Sequence, residues 1–208
     1  GGDLYDFYMD GNHLYFLIGD VSGKGVPASL FMAITRSLFR TLSQHVLSPA
    51  KIVTEMNNSI SDNNESNMFV TLIVGILDLE TGILKLCNAG HNPPILIYPD
   101  GQVSYLEFKT QIFVGVVEDF KYSDEEVVLE KESKLFLYTD GVTEAENINK
   151  ELYGEEKLLE MLSDNASSDV RTTVNVVVDS IASHVKEAEA SDDLTILLIQ
   201  YEPGTANS

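Results

Sequence analysis

The stretch Gly19-Asp20-Val21-Ser22-Gly23-Lys24-Gly25 separates an apolar run from a long helical pattern. Residues 14–18 before it are apolar or aromatic, as in a buried strand. Val26-Pro27 after it predicts the start of a helix, because proline in a first helical turn has no hydrogen bond to lose. A carboxylate at a strand end, on a glycine-rich loop, can bring its own oxygens and backbone carbonyls close to an ion or a phosphate. The sequence therefore predicts that Asp20 holds a metal ion or lies beside a phosphate.

Composition narrows the class of protein. The chain has 208 residues, 44% of them hydrophobic, which is enough for the core of one large domain. It carries 33 acidic and 13 basic residues, a formal charge of −20, and this argues against a nucleic-acid surface, which needs clustered Lys and Arg. The single cysteine, Cys87, excludes an internal disulfide framework and a cysteine-rich zinc site, and it fits a reducing cytoplasm. The longest apolar runs are about half as long as a membrane helix.

The periodicity of apolar residues predicts hairpins interrupted by pairs of helices. Asp10-Gly11 between two aromatic-rich runs is a strong hairpin signal. Leu30, Ile34, Leu38 and Leu42 recur at helical spacing and predict one buried stripe on the first helix. The near-continuous apolar run 194–199 predicts a central strand. The predicted strands are 4–8, 13–19, 68–79, 83–88, 95–98, 103–108, 121–129, 135–138 and 194–199, and the predicted helices are 27–46, 49–59, 155–162 and 170–185. Antiparallel hairpins with inserted helix pairs predict an α+β fold rather than a wound parallel sheet.

Four aspartates share one setting, because each lies at the end of a predicted strand. They are Asp3, Asp20, Asp140 and Asp192. Strand ends of one sheet can converge on one rim, and carboxylate oxygens are the ligands that Mg²⁺ and Mn²⁺ prefer. At about 5 Å and an effective dielectric of ~20, each bare carboxylate pair repels by ~3 kcal/mol. Two divalent ions would relieve that repulsion, although an aspartate beside a glycine, taken singly, is more often a turn residue.

Five blocks of sequence, in this order along the chain, resemble bacterial type-2C metal-dependent serine/threonine protein phosphatases. The nearest resemblance is to the stage-II sporulation and sigma-regulator group. It covers nearly the whole chain and implies an αββα sandwich of two mainly antiparallel sheets flanked by helix pairs, with one domain at 1–201 and a frayed tail at 202–208. The blocks are Gly1-Gly2-Asp3-Leu4-Tyr5-Asp6, Gly19-Asp20-Val21-Ser22-Gly23-Lys24-Gly25-Val26-Pro27-Ala28, Asn88-Ala89-Gly90-His91, Tyr138-Thr139-Asp140-Gly141-Val142-Thr143-Glu144-Ala145 and Asp192-Asp193-Leu194-Thr195.

The resemblance also implies a site that holds two Mn²⁺ or Mg²⁺ ions. Asp20 would bridge the ions, and Asp192 and Asp193 could exchange roles. A bridging water whose pKa falls from ~15.7 towards ~7 would attack phosphoserine or phosphothreonine in line, without a phosphoenzyme. Glu144 is a candidate ligand for a third ion, with a plain surface or helix-start glutamate as the alternative. The implied metal ligands are Asp3, Asp20, the Val21 carbonyl, Asp140, Asp192 and Asp193, and the implied catalytic residues among them are Asp20, Asp140 and Asp192.

The general acid and the phosphate clamp are where this chain departs from the family. Eukaryotic relatives carry a histidine two residues after the bridging aspartate, where this chain has Ser22, and an arginine near the chain start that has no counterpart here. Lys24 is a candidate clamp, with an ordinary solvated lysine as the alternative. His91 is a second candidate at the site, although its Gly-His-Asn-Pro-Pro context is more typical of a structural turn. The stretch Met68-Phe69-Val70-Thr71 matches a family strand motif and is predicted to be core.

The resemblance further implies a partner and a cellular setting. The expected substrate is a phosphorylated regulatory protein of the anti-sigma-factor-antagonist type. The chain begins at Gly1-Gly2-Asp3 without a methionine or signal peptide, which we interpret as an N-terminal truncation that removed a strand, a helix and an upstream sensor or regulatory domain. The expected location is the cytoplasm, including the cytoplasmic part of a larger, membrane-anchored protein, and a homodimer remains open.

Three rival interpretations are weaker. Gly23-Lys24-Gly25-Val26-Pro27-Ala28 fits the dinucleotide pattern G-x-G-x-x-A, but a second helix follows where a parallel strand ending in an acid should stand. A Walker loop needs four residues between its glycines and Ser or Thr after the lysine, whereas this chain has three residues and then Gly25. A non-catalytic phosphoprotein-binding module of the same fold is the alternative function, disfavoured because every expected carboxylate is present.

Overall fold

The computed structural model describes residues 1–62, 64, 67–186, 188 and 192–203. These residues fall into two compact units, the first made of 1–91, 107–129 and the chain end from 203, the second of 92–106 and 130–202. Residues 204–208 of the predicted tail lie outside the described residues. Within the described part, no helix combines the length and the apolar character needed to cross a membrane.

The described residues form nine strands and four helices. The elements are β1 (Leu4–Asp10), β2 (His13–Val21), α1 (Val26–Leu42), α2 (Pro49–Ser61), β3 (Val70–Asp78), β4 (Ile83–Ala89), β5 (Ile95–Ile97), β6 (Val103–Tyr105), β7 (Glu125–Val128), β8 (Lys134–Tyr138), α3 (Glu155–Asp164), α4 (Val170–Val185) and β9 (Ile196–Gln200).

The first unit is an antiparallel sheet in the order β1-β2-β3-β4-β7, with α1 and α2 packed on it. The predicted hairpins at Asp10-Gly11 and at residues 80–82 are confirmed. The central strand β3 pairs with a strand on each side, and its side chains are buried along most of its length. Gly75 lies in this strand under the ring of Phe16, where a Cβ would come within 2.0 Å of the ring. The glycine therefore makes room for a large core side chain.

The predicted buried stripe on α1 is partly wrong. Leu30 and Ile34 are 62% and 55% exposed, whereas the helix face towards the sheet carries Ala28, Thr35 and Phe39. A polar Thr35 can be buried because its hydroxyl donates to the Phe31 carbonyl at 2.8 Å. Apolar side chains occupy more than one face of this helix, so their spacing predicted the helix but could not decide which face meets the sheet.

A buried carboxylate connects β1 to α1. Asp6 points towards the helix and receives hydrogen bonds from Arg40 at 2.6 and 2.5 Å and from Arg36 at 3.1 Å. Arg40 also donates to the Phe7 carbonyl at 2.9 Å and lies over the Tyr8 ring at 4.7 Å. Burial would raise the pKa of Asp6, but the hydrogen bonds and charges of the two arginines outweigh it and hold the pKa below its usual value. The cluster thus fixes α1 against the first strand.

The second unit is an antiparallel sheet in the order β6-β5-β8-β9, with α3 and α4 as its helix pair. The two antiparallel sheets and four helices confirm the α+β class, and α4 has the bounds that the sequence predicted. The predicted central position of the last strand is wrong. β9 pairs with β8 on one side and lies at the sheet edge, and its residues are only half-buried. Its apolar run reflects packing against α4 rather than strands on both sides.

We predict that Asp6→Asn lowers the free energy of unfolding by about 1–3 kcal/mol at pH 7, since it weakens charge-assisted hydrogen bonds to a buried acceptor. Because the folded pKa of Asp6 is lowered, its contribution is present above the unfolded value of about 3.9 and is lost as the pH falls through the folded pKa. Urea unfolding followed by circular dichroism across pH 2–7 measures this difference.

The matched control is Asp10→Asn on the same strand. Its carboxylate is 39% exposed and pairs with the exposed His45 at 3.0 Å, so we expect a change below about 0.5 kcal/mol. Equal effects of the two substitutions, or a difference between wild type and Asp6→Asn that persists at the lowest pH, would contradict the role given to Asp6.

Candidate metal centre

In the first unit, the pairing of β1 with β2 places Asp3 next to Asp20. The last paired residues are Leu4 and Gly19, so Asp3 and Asp20 are the next positions along the two strands. The contact continues past the strand end, where the Val21 N–H donates to the Gly2 carbonyl at 3.3 Å. The structure also extends β2 through Val21, two residues beyond the predicted end. Asp20 is therefore held inside a ladder rather than on a free loop.

Gly2 shapes the space in front of Asp20. A Cβ built on Gly2 would lie 2.7 Å from the Val21 carbonyl oxygen and 3.0 Å from Asp20 Oδ1. A carboxylate oxygen and a carbonyl oxygen thus pack against the same side of Gly2, where any larger residue would displace one of them. Oxygen donors of these two kinds are what Mg²⁺ and Mn²⁺ take. Asp20 and Val21 therefore present oxygens of the kinds that such an ion takes, and Asp3 is the neighbouring position along the chain.

The loop after Asp20 is fixed by two hydrogen bonds to the start of β3. The Ser22 N–H donates to the Phe69 carbonyl at 2.9 Å, and the Phe69 N–H donates to Ser22 Oγ at 2.9 Å. The predicted site residue Ser22 therefore supports the loop through its hydroxyl. Lys24 follows on the exposed part of the loop between Gly23 and Gly25, whose φ angles of 87° and 80° favour glycine.

His91 contacts β3, the strand that pairs with β2 at Asp20, and it is only 3% exposed. Its Nδ1 is 2.9 Å from the hydroxyl of Thr71, the residue paired with Asp20 on β3. Asn88 holds the His91 backbone by accepting from its N–H at 2.8 Å and donating to its carbonyl at 3.0 Å. The structure thus gives His91 contacts that support β3 at the level of Asp20.

In the second unit, the ends of β8 and β9 bring Asp140 and the Asp192-Asp193 pair to one end of the sheet. Beyond the last strand pair, the Thr139 N–H donates to the Thr195 carbonyl at 3.1 Å, and the Thr195 N–H donates to Thr139 Oγ1 at 3.0 Å. The turn after Asp140 is so close to the other segment that a Cβ on Gly141 would lie 1.9 Å from the Asp193 carbonyl oxygen. The exposed Glu144, the candidate for a third ion, donates its N–H to the Asp140 carbonyl at 2.8 Å.

Across the described residues, no group of three or more His, Cys, Asp or Glu side chains is close enough to hold a metal by those side chains alone. The first unit offers two carboxylates and a carbonyl, so its donor set depends on backbone oxygen as well as on side chains. Acidic side chains alone would therefore not identify the complete donor set of the first unit.

Sequence reasoning missed three features that position the site. Gly2 and Gly141 lie within the sequence blocks that resemble the family, but their structural role could not be predicted. A close approach of two backbone segments is marked in the sequence only by the glycine itself. Asp6 had a clearer signal, because an acid at an inward-facing position of an alternating strand needs a partner. The partners Arg36 and Arg40 are four residues apart on one helix face, which is the spacing such a pair requires.

Known proteins resemble this chain over nearly its whole length. A sequence model described as Stage II sporulation protein E (SpoIIE) matches residues 10–202. Phosphoserine phosphatase RsbU of Bacillus subtilis (strain 168) is 26% identical over 96% of this chain and 59% of its own length. Phosphoserine phosphatase RsbP of the same strain is 28% identical over 97% of this chain and 49% of its own length. The chain therefore spans less than two thirds of either relative.

Solved structures show the same fold. The SiaA-PP2C domain of Pseudomonas aeruginosa matches with a TM-score of 0.87 at 22% identity, covering 97% of this chain and 81% of that one. The catalytic domain of the serine/threonine protein phosphatase PstP in complex with two manganese ions matches with a TM-score of 0.66 at 15% identity, covering 93% and 89%. The fold of this chain is therefore the type-2C phosphatase fold that the resemblance predicted.

We predict that Gly2→Ala weakens Mn²⁺ binding about 10- to 100-fold, the usual effect of displacing groups that orient metal ligands. The added methyl group must displace the Val21 carbonyl or the Asp20 carboxylate. Isothermal titration of the metal-free protein with Mn²⁺ measures the affinity without an activity assay. Gly1→Ala, at the exposed neighbouring residue, is the matched control and should bind as wild type does. Equal affinities of all three proteins would remove Gly2 from the site.

Proposed function

Because this chain belongs to the Stage II sporulation protein E (SpoIIE) family, we propose that it is a metal-dependent protein phosphatase acting on phosphoserine or phosphothreonine. The observation that carries the proposal is that Asp20 Oδ1 and the Val21 carbonyl oxygen lie on the same side of Gly2, where a side chain would displace one of them. Metal-dependent hydrolysis of a phosphate ester requires a site for a hard cation, and the glycine-rich turn after Asp20 is the proposed place for it. The names of RsbU and RsbP, both phosphoserine phosphatases, support the same substrate class.

The proposed metal is Mn²⁺ or Mg²⁺, and the proposed number is two, with Glu144 as the candidate ligand for a third. The number follows the PstP structure, which holds two manganese ions. When bound, the ions supply a hydroxide nucleophile at neutral pH and neutralise charge on the phosphoryl group. The proposed ligands are Asp3, Asp20, the Val21 carbonyl, Asp140, Asp192 and Asp193, with Asp20, Asp140 and Asp192 as the residues on which turnover depends most.

The other residues of the Asp20 loop have separate proposed tasks. Lys24 is exposed between two glycines, where a flexible side chain ending in an ammonium group can bind phosphate oxygens as a point charge. Ser22 Oγ accepts the Phe69 N–H and keeps its own proton for donation, so it is the candidate for a hydrogen bond to the leaving oxygen. His91 supports the backbone at Asp20 through Thr71.

The proposed substrate is a phosphorylated regulatory protein of the anti-sigma-factor-antagonist type, as the resemblance implies. The proposed location is the cytoplasm, where such regulators and a chain with a single cysteine both fit. The greater length of RsbU and RsbP supports a further regulatory domain in the whole protein, and a homodimer is proposed from the resemblance alone. The competing function is a phosphoprotein-binding module without turnover.

Asp20→Asn should lower Mn²⁺-dependent hydrolysis of p-nitrophenyl phosphate by at least about 10²-fold. The reason is that several kcal/mol of transition-state stabilisation depend on the metal, and each 1.4 kcal/mol is tenfold in rate. Initial rates across a Mn²⁺ titration measure the effect. Asp10→Asn on the same hairpin is the control and should keep wild-type rates. A near wild-type rate for Asp20→Asn would refute the role of Asp20 as a metal ligand. If metal-loaded wild type shows no hydrolysis, the binding module without turnover is favoured.

Lys24→Ala should raise KM for a phosphoserine peptide about three- to tenfold with kcat nearly unchanged. An interaction with the phosphate that is equal in ground and transition states changes KM alone. Steady-state kinetics against Lys51→Ala, an exposed lysine on α2, controls for the loss of one positive charge. An unaltered KM would return Lys24 to the class of ordinary solvated lysines.

A further inference from the structure

An exposed apolar surface lies beside the Asp20 loop in the first unit. It consists of the half-buried Phe69, the exposed Phe113, and the exposed Val116 and Val117 that follow Phe113 within four residues of the chain, and we call it the Phe113 surface. We propose that this surface binds an apolar side chain of the phosphoprotein substrate, located within two residues of the phosphorylated serine or threonine. The proposal rests on the proposed function and adds a determinant of specificity to it.

The aromatic part of the surface is a stacked pair. The rings of Phe69 and Phe113 have centroids 5.0 Å apart and planes 21° apart. Phe113 is 38% exposed, and Val116 and Val117 beyond it are 50% and 41% exposed. The sequence predicted that the stretch around Phe69 is core, but Phe69 is only half-buried and precedes the strand. Adjacent exposed apolar side chains of this size are typical of a binding surface.

The backbone beneath these side chains is firmly held, so their exposure is a fixed feature of the unit. Val114 exchanges two hydrogen bonds of 3.1 Å with Val70 at the start of β3. Asn57 of α2 accepts from the Gly115 N–H and donates to the Val117 carbonyl, both at 2.9 Å. A surface that is already ordered loses little conformational entropy when a ligand binds.

Gly90 makes room for the Phe113 ring. A Cβ on Gly90 would lie 2.0 Å from a carbon of that ring, and the φ angle of 79° also favours glycine. Gly90 immediately precedes His91, which contacts Thr71 opposite Asp20 on β3. The position of the Phe113 ring is therefore set by the same backbone that supports the metal-binding strand.

The contact between Phe69 and the Asp20 loop indicates which substrate residue the surface would bind. Phe69 is joined by two hydrogen bonds of 2.9 Å to Ser22, two residues after Asp20. An extended peptide advances at most about 3.6 Å per residue, so two residues span about 7 Å, comparable with the two-residue separation of Ser22 and Asp20. We therefore place the apolar side chain one or two positions from the phosphoserine, with the phosphate at the metal site beside Asp20.

The experiment compares two phosphoserine pentapeptides that differ only in leucine or glycine at the positions flanking the phosphoserine. We expect wild type to hydrolyse the leucine peptide with a kcat/KM about tenfold higher, the low end of discrimination by an apolar contact. In Phe113→Ala and in Gly90→Ala the ratio should fall to about one or two. Phe7→Ala, an exposed phenylalanine of β1 in the same unit, is the matched control and should keep the wild-type ratio.

A second measurement separates failure of this inference from failure of the proposed function. Fluorescence anisotropy gives the affinities of the same peptides carrying a non-hydrolysable phosphoserine analogue, so it does not need turnover. If no peptide is hydrolysed with Mn²⁺ but the binding preference for leucine exists and is lost in Phe113→Ala, the surface stands and the phosphatase assignment falls. If wild type shows no preference in either assay, or Phe113→Ala keeps it, the inference is overturned.

A third variant covers the case in which Phe113→Ala does not fold. The double substitution Val116→Ser/Val117→Ser changes side chains that are about half exposed, so circular dichroism should show an intact fold. It should lower the leucine preference, because it replaces apolar area on the same surface. An intact double variant with the wild-type preference counts against the proposal.

Discussion

Strand pairing decides where the aspartates of the candidate site lie, and in each unit it acts at the end of a sheet. In the first unit, Asp20 lies in a strand that is paired on both sides, with β1 and with β3. Its carboxylate and the Val21 carbonyl then lie against Gly2, close enough that a side chain at residue 2 would displace one of them. At an effective dielectric of ~20, two carboxylates about 5 Å apart cost ~3 kcal/mol. A folded domain of ordinary stability can tolerate that cost only if the surrounding ladder is strong, and a bound cation converts the cost into affinity.

The same ladder explains why the supporting groups lie where they do. Asp6 lies on β1, three residues after Asp3. It receives hydrogen bonds from two arginines of α1. This helix begins where the Asp20 loop ends. The loop is thus bounded on one side by a helix fixed to β1 and on the other by the bonds of Ser22 to Phe69. A short loop with both ends fixed keeps its glycines in their positive-φ conformations at little entropic cost.

Local patterns in the sequence were enough to predict the hairpins, the helix pairs and the aspartates at strand ends. The helix α4 shows why, since its many β-branched residues would also suit a strand and the helical spacing of valine and isoleucine alone decided for a helix. The face of α1 and the edge position of β9 could not be predicted, because each depends on which other element covers an apolar side chain. The close approach of oxygen atoms to Gly2 and the ion pairs of Asp6 could not be predicted for the same reason. They arise where residues distant in sequence approach each other, and only their types, a glycine and an inward-facing acid, mark them in the sequence.

Charge sets a limit on how such a domain can recognise a phosphoprotein. With a formal charge of −20, the surface as a whole repels phosphate, and only metal ions and a few cations such as Lys24 can offset that repulsion. Those ions attract every phosphate equally, so they give affinity without selecting a substrate. Selection then falls to contacts whose free energy does not depend on charge. Apolar contact next to the phosphate has that property, and the Phe113 surface is apolar, rigid and attached to the Asp20 loop through Phe69. Binding energy gained there, away from the reacting atoms, can be used to orient the phosphoserine for attack.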